Sequence, residues 1–381
     1  MKYITLGEVS EFINGYAFKP SNWENDGLKI IRIQNLTDQD KVFNRTTKVV
    51  PEKYIVHKGD LLISWSATLG IFEWKSDEDA LLNQHIFKAV LDSNVIEKKY
   101  FMYVLKFTIA KMSQFTHGST MKHIVRGDFL KHKIPLPSLE EQKRIIKILD
   151  QANELRQKRK NSLNLLDEYV KSAFLNIFGD PVTNSKNWKR YGGNKYSEEI
   201  TVGVVIKPAS YYVENGIPAL RSQNITKDGI TTNNLVFFSQ KDNETKLSKS
   251  IIRRNNVLIV RTGQPGTAAI VPKELDGANC IDAIIVKLNK KIITPEYLVT
   301  FFNSAGGKEI VLKTARGQIQ QHFNIGSLNN AQIPIPPIEL QQQFSKVFKE
   351  KKLLKQKMLD QSVELENQFQ AVMQKSFNSS I

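Results

Sequence analysis

The sequence has little of what extracellular, membrane or zinc-binding proteins contain. It has a single cysteine, Cys280, and six histidines among 381 residues. One cysteine cannot form an internal disulfide, and so few scattered Cys and His residues do not predict a structural zinc site. No stretch approaches about eighteen consecutive apolar residues, and residues 1–20 lack the regions of a signal peptide. We therefore expect a cytoplasmic protein with no membrane-spanning helix and no metal, in which Cys280 is an ordinary thiol.

Two motifs of nucleotide and DNA chemistry are also missing. The segment Gly306-Gly307-Lys308-Glu309 has neither the spacing nor the hydroxyl group of a phosphate-binding loop. There is no Asn- or Asp-Pro-Pro-Tyr/Phe tetrapeptide, with which amino-methyltransferases hold a flipped base, and residues 334–337 offer only its prolines. We therefore expect that this chain does not methylate DNA unaided.

Acidic residues are too few to balance the basic ones, and the formal net charge is +16. A cytoplasmic protein this basic usually meets a polyanion, although a generally basic proteome would also explain the charge. Of the 16 excess positive charges, 12 lie in residues 1–138 and 179–337. The distribution favours polyanion binding by those two segments.

The two halves of the chain carry the same motifs in the same order. The pairs are the Gly-x-x-x-Lys-Pro motifs that begin at Gly15 and Gly203, the Arg-x-Gln-Asn motifs at Arg32 and Arg221, residues 60–63 and 256–259, His117-Gly118 and Arg316-Gly317, and the Ile-Pro-x-Pro motifs at Ile134 and Ile333. The offset grows from 188 to 199 residues, as expected when loops lengthen and the framework stays. The sequence therefore predicts two copies of one module.

Each copy shows alternating strand and helix patterns. Short runs of Ile, Val, Leu and Phe bounded by Gly, Asn, Asp and Pro predict strands, and short helical patterns lie between them. Strands are predicted over residues 29–33, 60–65, 256–261 and 283–288, and helices over 98–107 and 294–303. The expected fold class is α+β, with two pseudo-repeated modules of mixed α and β structure.

Each module is followed by a long helical segment. Ser138 and Glu141 match a capping box at the start of the first segment, and Gly179 with Pro181 matches its end. A helix over 139–178 would be about 60 Å long at 1.5 Å per residue, whereas a module of this size is about 35 Å across. These helices therefore extend beyond a single module, and an antiparallel intramolecular coiled coil that separates the two modules is the simplest account.

Apolar residues near a 3-4 spacing predict the contact face of the coiled coil. They are Ile145, Ile148, Ala152, Leu155, Leu166, Tyr169 and Ala173 in the first helix and Phe344, Val347, Leu354, Met358, Leu365 and Val372 in the second. The predicted domain organisation is a module over 1–138, a long helix over 139–178, a second module over 179–337 and a second long helix over 338–381.

One set of residues resembles a metal-dependent nuclease site. Asp60, Glu73 and Lys75 match the two carboxylates and the lysine that many such enzymes use. The equivalent residues of the second module include Asn256 and Ala269, which could not hold a metal ion. We therefore interpret Asp60 as a turn residue before a strand.

The repeated Arg-x-Gln-Asn motif offers DNA-recognition chemistry. An arginine fork suits phosphate or guanine, and side-chain amides suit the edge of adenine. The candidate residues are Arg32, Gln34 and Asn35 in the first module and Arg221, Gln223 and Asn224 in the second. A polar turn after a strand is an equally good interpretation of each one.

A second pair of segments occupies equivalent positions but differs in chemistry. Ser64, Trp65 and Ser66 correspond to the segment with Arg261, Thr262 and Gln264, which suits two modules that read different bases. The remaining candidates for DNA contact are Tyr16, Lys19, His117, Lys122, Lys207, Arg316 and Gln318. Backbone turns would explain the nearby glycines equally well.

These motifs resemble those of the specificity subunit of type I restriction-modification systems, and the resemblance covers essentially the whole chain. The most specific segments are residues 134–142 and their copy 333–341, the long helices that follow them, and residues 178–181. In that family each variable module is a target recognition domain, and the helices form a coiled coil.

The resemblance implies a role in a larger complex. It implies a bipartite double-stranded DNA target, two docked methyltransferase subunits and restriction subunits. It further implies no cofactor in this chain, S-adenosylmethionine on the methyltransferase, and ATP and Mg²⁺ on the restriction subunit. Recognition units at the ends of such a rod would meet major grooves about 34 Å apart, with unread spacer between them. The alternative is a coiled-coil scaffold whose basic modules bind RNA or protein.

Overall fold

The computed structural model describes residues 2–38, 40–65, 69–114, 126–313 and 323–378. The chain forms two compact units, which we call unit 1 (residues 1–160 and 360–381) and unit 2 (residues 161–359). Each unit contains one module, the first part of the long helix that follows this module, and the last part of the other long helix.

Unit 1 contains two four-stranded sheets and a helical layer. Its described elements are β1 (Tyr3–Thr5), α1 (Leu6–Val9), β2 (Ser10–Asn14), β3 (Leu28–Ile31), α2 (Ile33–Thr37), β4 (Asn44–Thr46), β5 (Ile55–Val56), β6 (Leu61–Ser64), β7 (Gly70–Glu73), β8 (Ala80–Leu82), β9 (Ile86–Leu91), α3 (Lys98–Gln114), α4 (Arg126–Lys131), β10 (Lys133–Pro135) and the first part of α5 (Leu139–Phe178). One sheet has the order β2-β9-β6-β7 and is antiparallel, and the other has the order β4-β3-β8-β5. Strands β3 and β8 run parallel.

Unit 2 repeats this arrangement. Its described elements are β11 (Arg190–Tyr191), α6 (Gly193–Tyr196), β12 (Ser197–Val202), β13 (Tyr212–Val213), β14 (Ile217–Leu220), β15 (Ile225–Thr226), β16 (Gly229–Ile230), β17 (Val236–Phe238), α7 (Gln240–Glu244), β18 (Val257–Val260), β19 (Ala268–Ile270), β20 (Asn279–Cys280), β21 (Ala283–Leu288), α8 (Pro295–Asn303), α9 (Ala305–Lys313), α10 (Ile325–Asn330), β22 (Ile333–Pro334) and the first part of α11 (Ile338–Asn378). Its sheets have the orders β12-β21-β18-β19 and β13-β17-β14-β20, and β14 and β20 run parallel. The shared topology confirms the internal repeat.

The predicted strands and helices are present, with small shifts at their ends. The predicted strand over 29–33 ends at Ile31, because α2 begins at Ile33. The strand predicted over 283–288 is confirmed as β21. Helix α3 continues past its predicted end to Gln114. Helix α8 begins after Thr294, whose hydroxyl accepts a hydrogen bond from the Tyr297 amide at 3.3 Å.

The long helices lie where the sequence predicts them. Helix α5 spans Leu139–Phe178, and Gly179 has the left-handed backbone expected of a helix C-terminal cap, with φ 79°. The predicted capping box forms only in part. The Ser138 hydroxyl accepts from the Glu141 amide at 3.3 Å, but the Glu141 carboxylate binds the Arg144 guanidinium at 2.6 and 2.7 Å. A charged partner one turn away is the stronger attraction for this carboxylate.

Within unit 2 the two long helices pack antiparallel. The rings of Phe174 and Phe178 lie 5.6 and 5.4 Å from that of Phe344, near the start of α11. Further along α11, the Lys355 ammonium binds the Asp167 carboxylate at 2.9 Å, and Lys351 binds the same carboxylate at 2.6 Å. Moving backward along α5 therefore corresponds to moving forward along α11.

Within unit 1 the helices are also antiparallel. Arg156 of α5 pairs with Glu366 of α11, and its guanidinium lies 4.2 Å from the centre of the Phe369 ring. Phe377, near the end of α11, packs against Tyr100 of α3 with ring centres 5.6 Å apart. The end of each long helix therefore completes the core of a module, since Phe178 and Phe377 are both buried in such cores.

The prediction of the residues in the contact face of the coiled coil was wrong in part. Ile148, Leu155, Tyr169 and Leu354 were expected in the contact, but all four are exposed, by 39, 54, 59 and 47%. Ile145, Phe344 and Met358 are buried as expected, and the buried face also contains Leu149, Val170, Phe174 and Phe369, which were not predicted. Large aromatic residues that pack into the cores of the modules determine which face of each long helix is buried. Pairing between the two helices alone does not decide this.

Cys280 lies in β20 and is fully buried. Burial raises the pKa of its thiol to about 12, because the thiolate would lose its hydration. We expect a thiol reagent at pH 8 to label the native protein more than about a hundredfold more slowly than the urea-unfolded chain. Complete labelling of the native protein at the unfolded rate would contradict the placement of this residue.

None of the described helices combines the length and the apolar character that crossing a bilayer requires.

Candidate nucleic-acid interface

Three of the predicted recognition segments of unit 1 meet at one edge of its second sheet. The parallel strands β3 and β8 place Ile31 opposite Leu82. Arg32 and Asn83 therefore leave the sheet side by side, because both follow the carboxyl ends of adjacent parallel strands. Tyr16 joins them, since its amide donates to the Leu82 carbonyl at 2.8 Å and it forms a bridge with Asn83.

The same edge exists in unit 2. Strands β14 and β20 place Leu220 opposite Cys280, so that Arg221 and Ile281 leave the sheet together. Val204 bridges to Ile281, and its amide donates to the Cys280 carbonyl at 2.8 Å. The edge is therefore part of the repeated framework.

A third segment reaches this edge from the first sheet. Strand β6 pairs with β9 so that Ser64 lies opposite Ile86, and the next residues outward are Trp65 and His85. Strand β18 pairs with β21 in the same way, and the corresponding residues are Arg261 and Asp282. We call Tyr16, Arg32, Trp65 and His85 the unit 1 strand-end cluster, and Val204, Arg221, Arg261 and Asp282 the unit 2 strand-end cluster.

The glycine of each Gly-x-x-x-Lys-Pro motif is required by a close backbone approach. A Cβ atom on Gly15 would lie 1.9 Å from the Asn83 carbonyl oxygen, and one on Gly203 would lie 2.5 Å from the Cys280 carbonyl oxygen. Both distances are far below van der Waals contact, and the obstructing atoms belong to the backbone. These glycines therefore let the chain that follows β2 or β12 pass close to the strand-end cluster of its unit.

Replacing Gly15 by alanine is expected to destabilise the protein by about 3 kcal/mol, because the backbone of the Asn83 loop must move. Gly127 provides the matched control. It lies in α4, and a Cβ there would meet nothing within 4 Å, so that G127A should be neutral or stabilising by up to about 1 kcal/mol. Urea unfolding of the two variants measures both effects, and equal midpoints would contradict the close approach.

The asparagine of the first Arg-x-Gln-Asn motif holds a turn together. The Asn35 side-chain oxygen accepts from the Arg32 amide at 3.1 Å, and its NH₂ group donates to the carbonyls of Lys41 and Val42 at 3.1 and 3.3 Å. Asn35 is only 5% exposed. Its predicted contact with an adenine edge does not fit this placement, because the amide is already bound to the backbone.

Asn224 has the same role in unit 2. Its oxygen accepts from the Arg221 amide at 2.9 Å, and its NH₂ group donates to the carbonyls of Thr231 and Asn233 at 3.1 and 2.9 Å. It is 1% exposed. The alternative interpretation, a polar turn after a strand, therefore describes both asparagines, whereas the neighbouring Gln34 and Gln223 are exposed.

The arginines of the motif are half-buried at the edge of each cluster. The Arg32 guanidinium lies 5.4 Å from the Trp23 ring and donates to the Asn44 side chain at 3.4 Å. The Arg221 guanidinium donates to the Asn234 carbonyl. Trp23 is 41% exposed and was missed by sequence reasoning, although Tyr212, which is 38% exposed, follows the equivalent short turn in unit 2.

The two clusters share a frame but differ in chemistry. In unit 1 the Trp65 ring stacks on Phe87, with ring centres 5.6 Å apart, and lies 5.3 Å from His85. In unit 2 the Arg261 guanidinium binds the Asp282 carboxylate at 2.7 Å. An aromatic group in one module thus stands where an ion pair stands in the other, as the offset between Trp65 and Arg261 predicts.

Sequence reasoning missed His85 and Asp282. They precede β9 and β21, and both have a left-handed backbone, with φ 72° and 48°. Of these two strands only β21 was predicted from the sequence. The residues that precede β9 and β21 could therefore not be aligned with each other. Prediction of both strands would have placed His85 and Asp282 at equivalent positions.

The other candidates have varied placements. Lys19, Lys207 and Gln264 are exposed, and Thr262 donates to the Asp282 carboxylate at 3.0 Å. Ser64 is 1% exposed, because β6 lies inside its sheet between β9 and β7, so its predicted DNA contact does not fit. Ser66, His117, Lys122, Arg316 and Gln318 lie outside the described residues. Contact with DNA by any of the exposed residues stays a prediction.

The residues that resemble a nuclease site have structural partners. The Asp60 carboxylate accepts from the His57 amide at 2.9 Å, and Asn256 accepts from the Arg253 amide at 2.7 Å in the equivalent turn. Glu73 binds the Lys98 ammonium at 2.5 Å. The interpretation of Asp60 as a turn residue is confirmed. Within the described ranges no group of three or more His, Cys, Asp or Glu residues is arranged to hold a metal ion.

Solved structures share this fold. The S subunit of a type I restriction-modification system from M. genitalium aligns over 99% of this chain and 96% of its own, with 14% identity and a TM-score of 0.52. A chain from a structure that concerns complex assembly and conformational transition of the type I R-M system aligns over 100% of this chain and 98% of its own. Its identity to this chain is 15% and its TM-score is 0.64.

Sequence comparisons agree with the fold. The type I restriction enzyme EcoBI specificity subunit of Escherichia coli is 25% identical over 368 residues, which cover 90% of this chain and 77% of that protein. The family model of the type I restriction modification DNA specificity domain matches residues 1–165 and 198–363, one match for each module. This chain therefore belongs to the family of type I restriction-modification DNA specificity subunits, with two repeated target recognition domains.

Proposed function

We propose that each module of this specificity subunit reads one half of a bipartite DNA target and that the chain itself catalyses nothing. The observation that supports this proposal is the repeated strand-end cluster. Two copies of one framework present Trp65 in unit 1 and Arg261 in unit 2 at the same position. A protein that recognises two different half-sites can use one repeated backbone framework but needs different side chains on it, because base edges differ in their donor and acceptor pattern.

The proposed partners are double-stranded DNA, two methyltransferase subunits and restriction subunits. The net charge of +16 supports the first of these, since phosphate contacts supply much of the affinity of DNA-binding proteins. We propose that the methyltransferase subunits carry S-adenosylmethionine, that the restriction subunits use ATP and Mg²⁺, and that this chain carries no cofactor. The complex would act on chromosomal DNA in the cytoplasm.

The helices α5 and α11 have a proposed role as a ruler. The two helices pack antiparallel within unit 1 and within unit 2, and the length of α5 is about 60 Å at 1.5 Å per residue. In this proposal the helices set the length of the unread spacer and provide the docking surface for the methyltransferase subunits.

Sequencing of methylated adenines tests the function. Cells that carry this chain with its partner subunits are expected to methylate one bipartite motif with a fixed gap, and cells that lack only this chain are expected to lose that motif. Methylation of the same motif without this chain would overturn the proposal.

Binding measurements separate DNA reading from a scaffold that binds RNA or protein. The assembled complex should bind a duplex that contains the mapped motif more tightly than a scrambled duplex. The affinity should fall steeply between 50 and 200 mM salt, by a factor on the order of 10³ or more. Equal binding of both duplexes at every salt concentration would favour the scaffold.

A further inference from the structure

His85 and Asp282 occupy the same place in the two modules. Each lies one residue before the strand that pairs with β6 or β18, and each has a left-handed backbone. This conformation is uncommon for residues other than glycine and is best tolerated by Asn, Asp and His. It points each side chain at the residue that follows the neighbouring strand, which is Trp65 in unit 1 and Arg261 in unit 2.

Asp282 joins three parts of the unit 2 cluster. One carboxylate oxygen binds Arg261 at 2.7 Å, and the other accepts from the Thr262 hydroxyl at 3.0 Å. Its backbone carbonyl accepts from the Ser222 hydroxyl at 3.3 Å, next to Arg221 in the Arg-x-Gln-Asn turn. A single residue, through its carboxylate and its backbone carbonyl, therefore fixes the direction of the Arg261 guanidinium relative to the rest of the edge.

His85 makes a different connection in unit 1. Its ring lies 5.3 Å from the Trp65 ring, which in turn stacks on Phe87. The Arg126 guanidinium lies 5.8 Å from the centre of the same Phe87 ring. The unit 1 cluster therefore presents an aromatic surface where unit 2 presents a cation held by a carboxylate.

Both clusters contain buried nitrogen atoms whose hydrogen bonds are not completed within the described ranges. They are Nδ1 of His85 in unit 1 and Nε of Arg221 and Arg261 in unit 2. A buried polar atom without a partner carries a free-energy penalty, which is relieved when a ligand supplies an acceptor or donor. Such atoms occur at the equivalent edges of both modules.

We propose that Asp282 and His85 are positioning residues that determine which bases the two modules read. This inference rests on the DNA-reading function proposed above. Asp282 holds one end of the Arg261 guanidinium and directs the remaining donors toward a guanine, whose O6 and N7 atoms accept a two-pronged contact. His85 holds the Trp65 ring for an apolar contact, such as that with a thymine methyl group. The second half-site therefore contains a G·C pair that requires Asp282.

Substitution of Asp282 by asparagine tests the proposal. Asparagine tolerates the left-handed backbone and has nearly the same shape, but it loses the negative charge that holds Arg261. In methylation mapping with the partner subunits, D282N should lower discrimination at the second half-site by about tenfold or more. The first half-site should keep its sequence. The substitution H85N should lower discrimination between bases at the first half-site only and leave the second half-site unchanged.

The matched control is E198Q. Glu198 also forms an ion pair in unit 2, with Lys287 at 3.1 Å, but it does not contact the strand-end cluster. A complex that contains this variant should methylate the wild-type motif. A relaxed second half-site in E198Q would mean that any lost charge in unit 2 disturbs recognition, and it would overturn the specific role of Asp282.

The remaining outcomes separate the inference from the proposed function. If the wild-type complex methylates no bipartite motif, the proposed function fails. If it methylates such a motif and D282N leaves both half-sites unchanged, or relaxes both, the inference fails and the function stands. If D282N does not fold, the variant R261K tests the inference instead. Lysine can still pair with Asp282, but it lacks the planar guanidinium group that makes a two-pronged contact with guanine. A second half-site unchanged in R261K then overturns the inference.

Discussion

Insertion of one heptad after Lys160 and another after Leu359 is expected to lengthen the preferred spacer by about three base pairs and to leave both half-sites unchanged. A heptad adds about 10 Å to an α-helix, and DNA rises about 34 Å in each turn of roughly ten base pairs. The two insertion points lie at the boundary between unit 1 and unit 2. The Arg156–Glu366 pair and the Asp167–Lys355 pair therefore each stay within their own unit.

Methylation mapping measures the spacer directly. A variant with the heptad in α5 alone is the control, because it shifts one helix against the other and should abolish methylation of any fixed-gap motif. An unchanged gap in the double insertion would show that the helices do not set the spacer.

Replacement of Gln341 by leucine is expected to destabilise the protein by about 3 kcal/mol or more. Gln341 is fully buried at the start of α11. Its oxygen accepts from the Thr294 amide at 2.9 Å, and its NH₂ group donates to the carbonyls of Ile292 and Pro336 at 3.0 and 2.8 Å. Leucine would leave three backbone groups without partners, and each such buried group contributes about 1–3 kcal/mol of destabilisation.

Gln343 is the matched control, since it lies on the same helix and is exposed. Q343L should change the free energy of unfolding by less than about 0.5 kcal/mol. Urea unfolding followed by circular dichroism compares the two variants. A Q341L protein as stable as Q343L would show that these hydrogen bonds do not hold the helix to its module.

The hydrogen bonds of the buried Gln341 belong to a pattern that occurs in both units. Gln142 accepts from the Glu97 amide at 2.8 Å and donates to the carbonyls of Val95 and Pro137 at 3.1 and 3.0 Å. Beside it, the Tyr100 hydroxyl donates to the Pro135 carbonyl at 2.9 Å, as Tyr297 does to the Pro334 carbonyl in unit 2 at 2.6 Å. The Ile-Pro-x-Pro motif and the glutamine after it therefore fix the direction in which each long helix leaves its module.

The bounds of α5 were predictable from the sequence because the signals at its ends are local, and the internal repeat was predictable because its motifs recur in the same order. A helix ends at Gly179 since a left-handed cap needs glycine, and this is decided within a few residues. The turn at Asp60 is equally local, because its carboxylate binds the amide of His57 three residues earlier. The equivalent bond at Asn256 explains why both modules keep a residue of this kind.

The site was predictable only in part. The motifs at Arg32 and Arg221 do lie at equivalent edges, but Asn35 and Asn224 support the turn instead of facing outward. Whether an amide is exposed depends on backbone carbonyls six to nine residues away, and a motif of four residues does not contain that information. The pairing of Arg261 with Asp282 likewise joins residues at the ends of two strands, β18 and β21, whose register was not known.

Composition, the repeat and the signals at helix ends were thus enough to establish two basic modules of mixed structure, each followed by a long helix, because these properties depend only on which residues occur and in what order along the chain. The direction of the buried helix face and the partners of the cluster residues were decided only by the folded chain. Leu149 is buried and Ile148 is exposed because of where the ends of the helices anchor in the modules. Asp282 faces Arg261 because antiparallel strands bring distant residues together, and that proximity exists only after the sheet has formed.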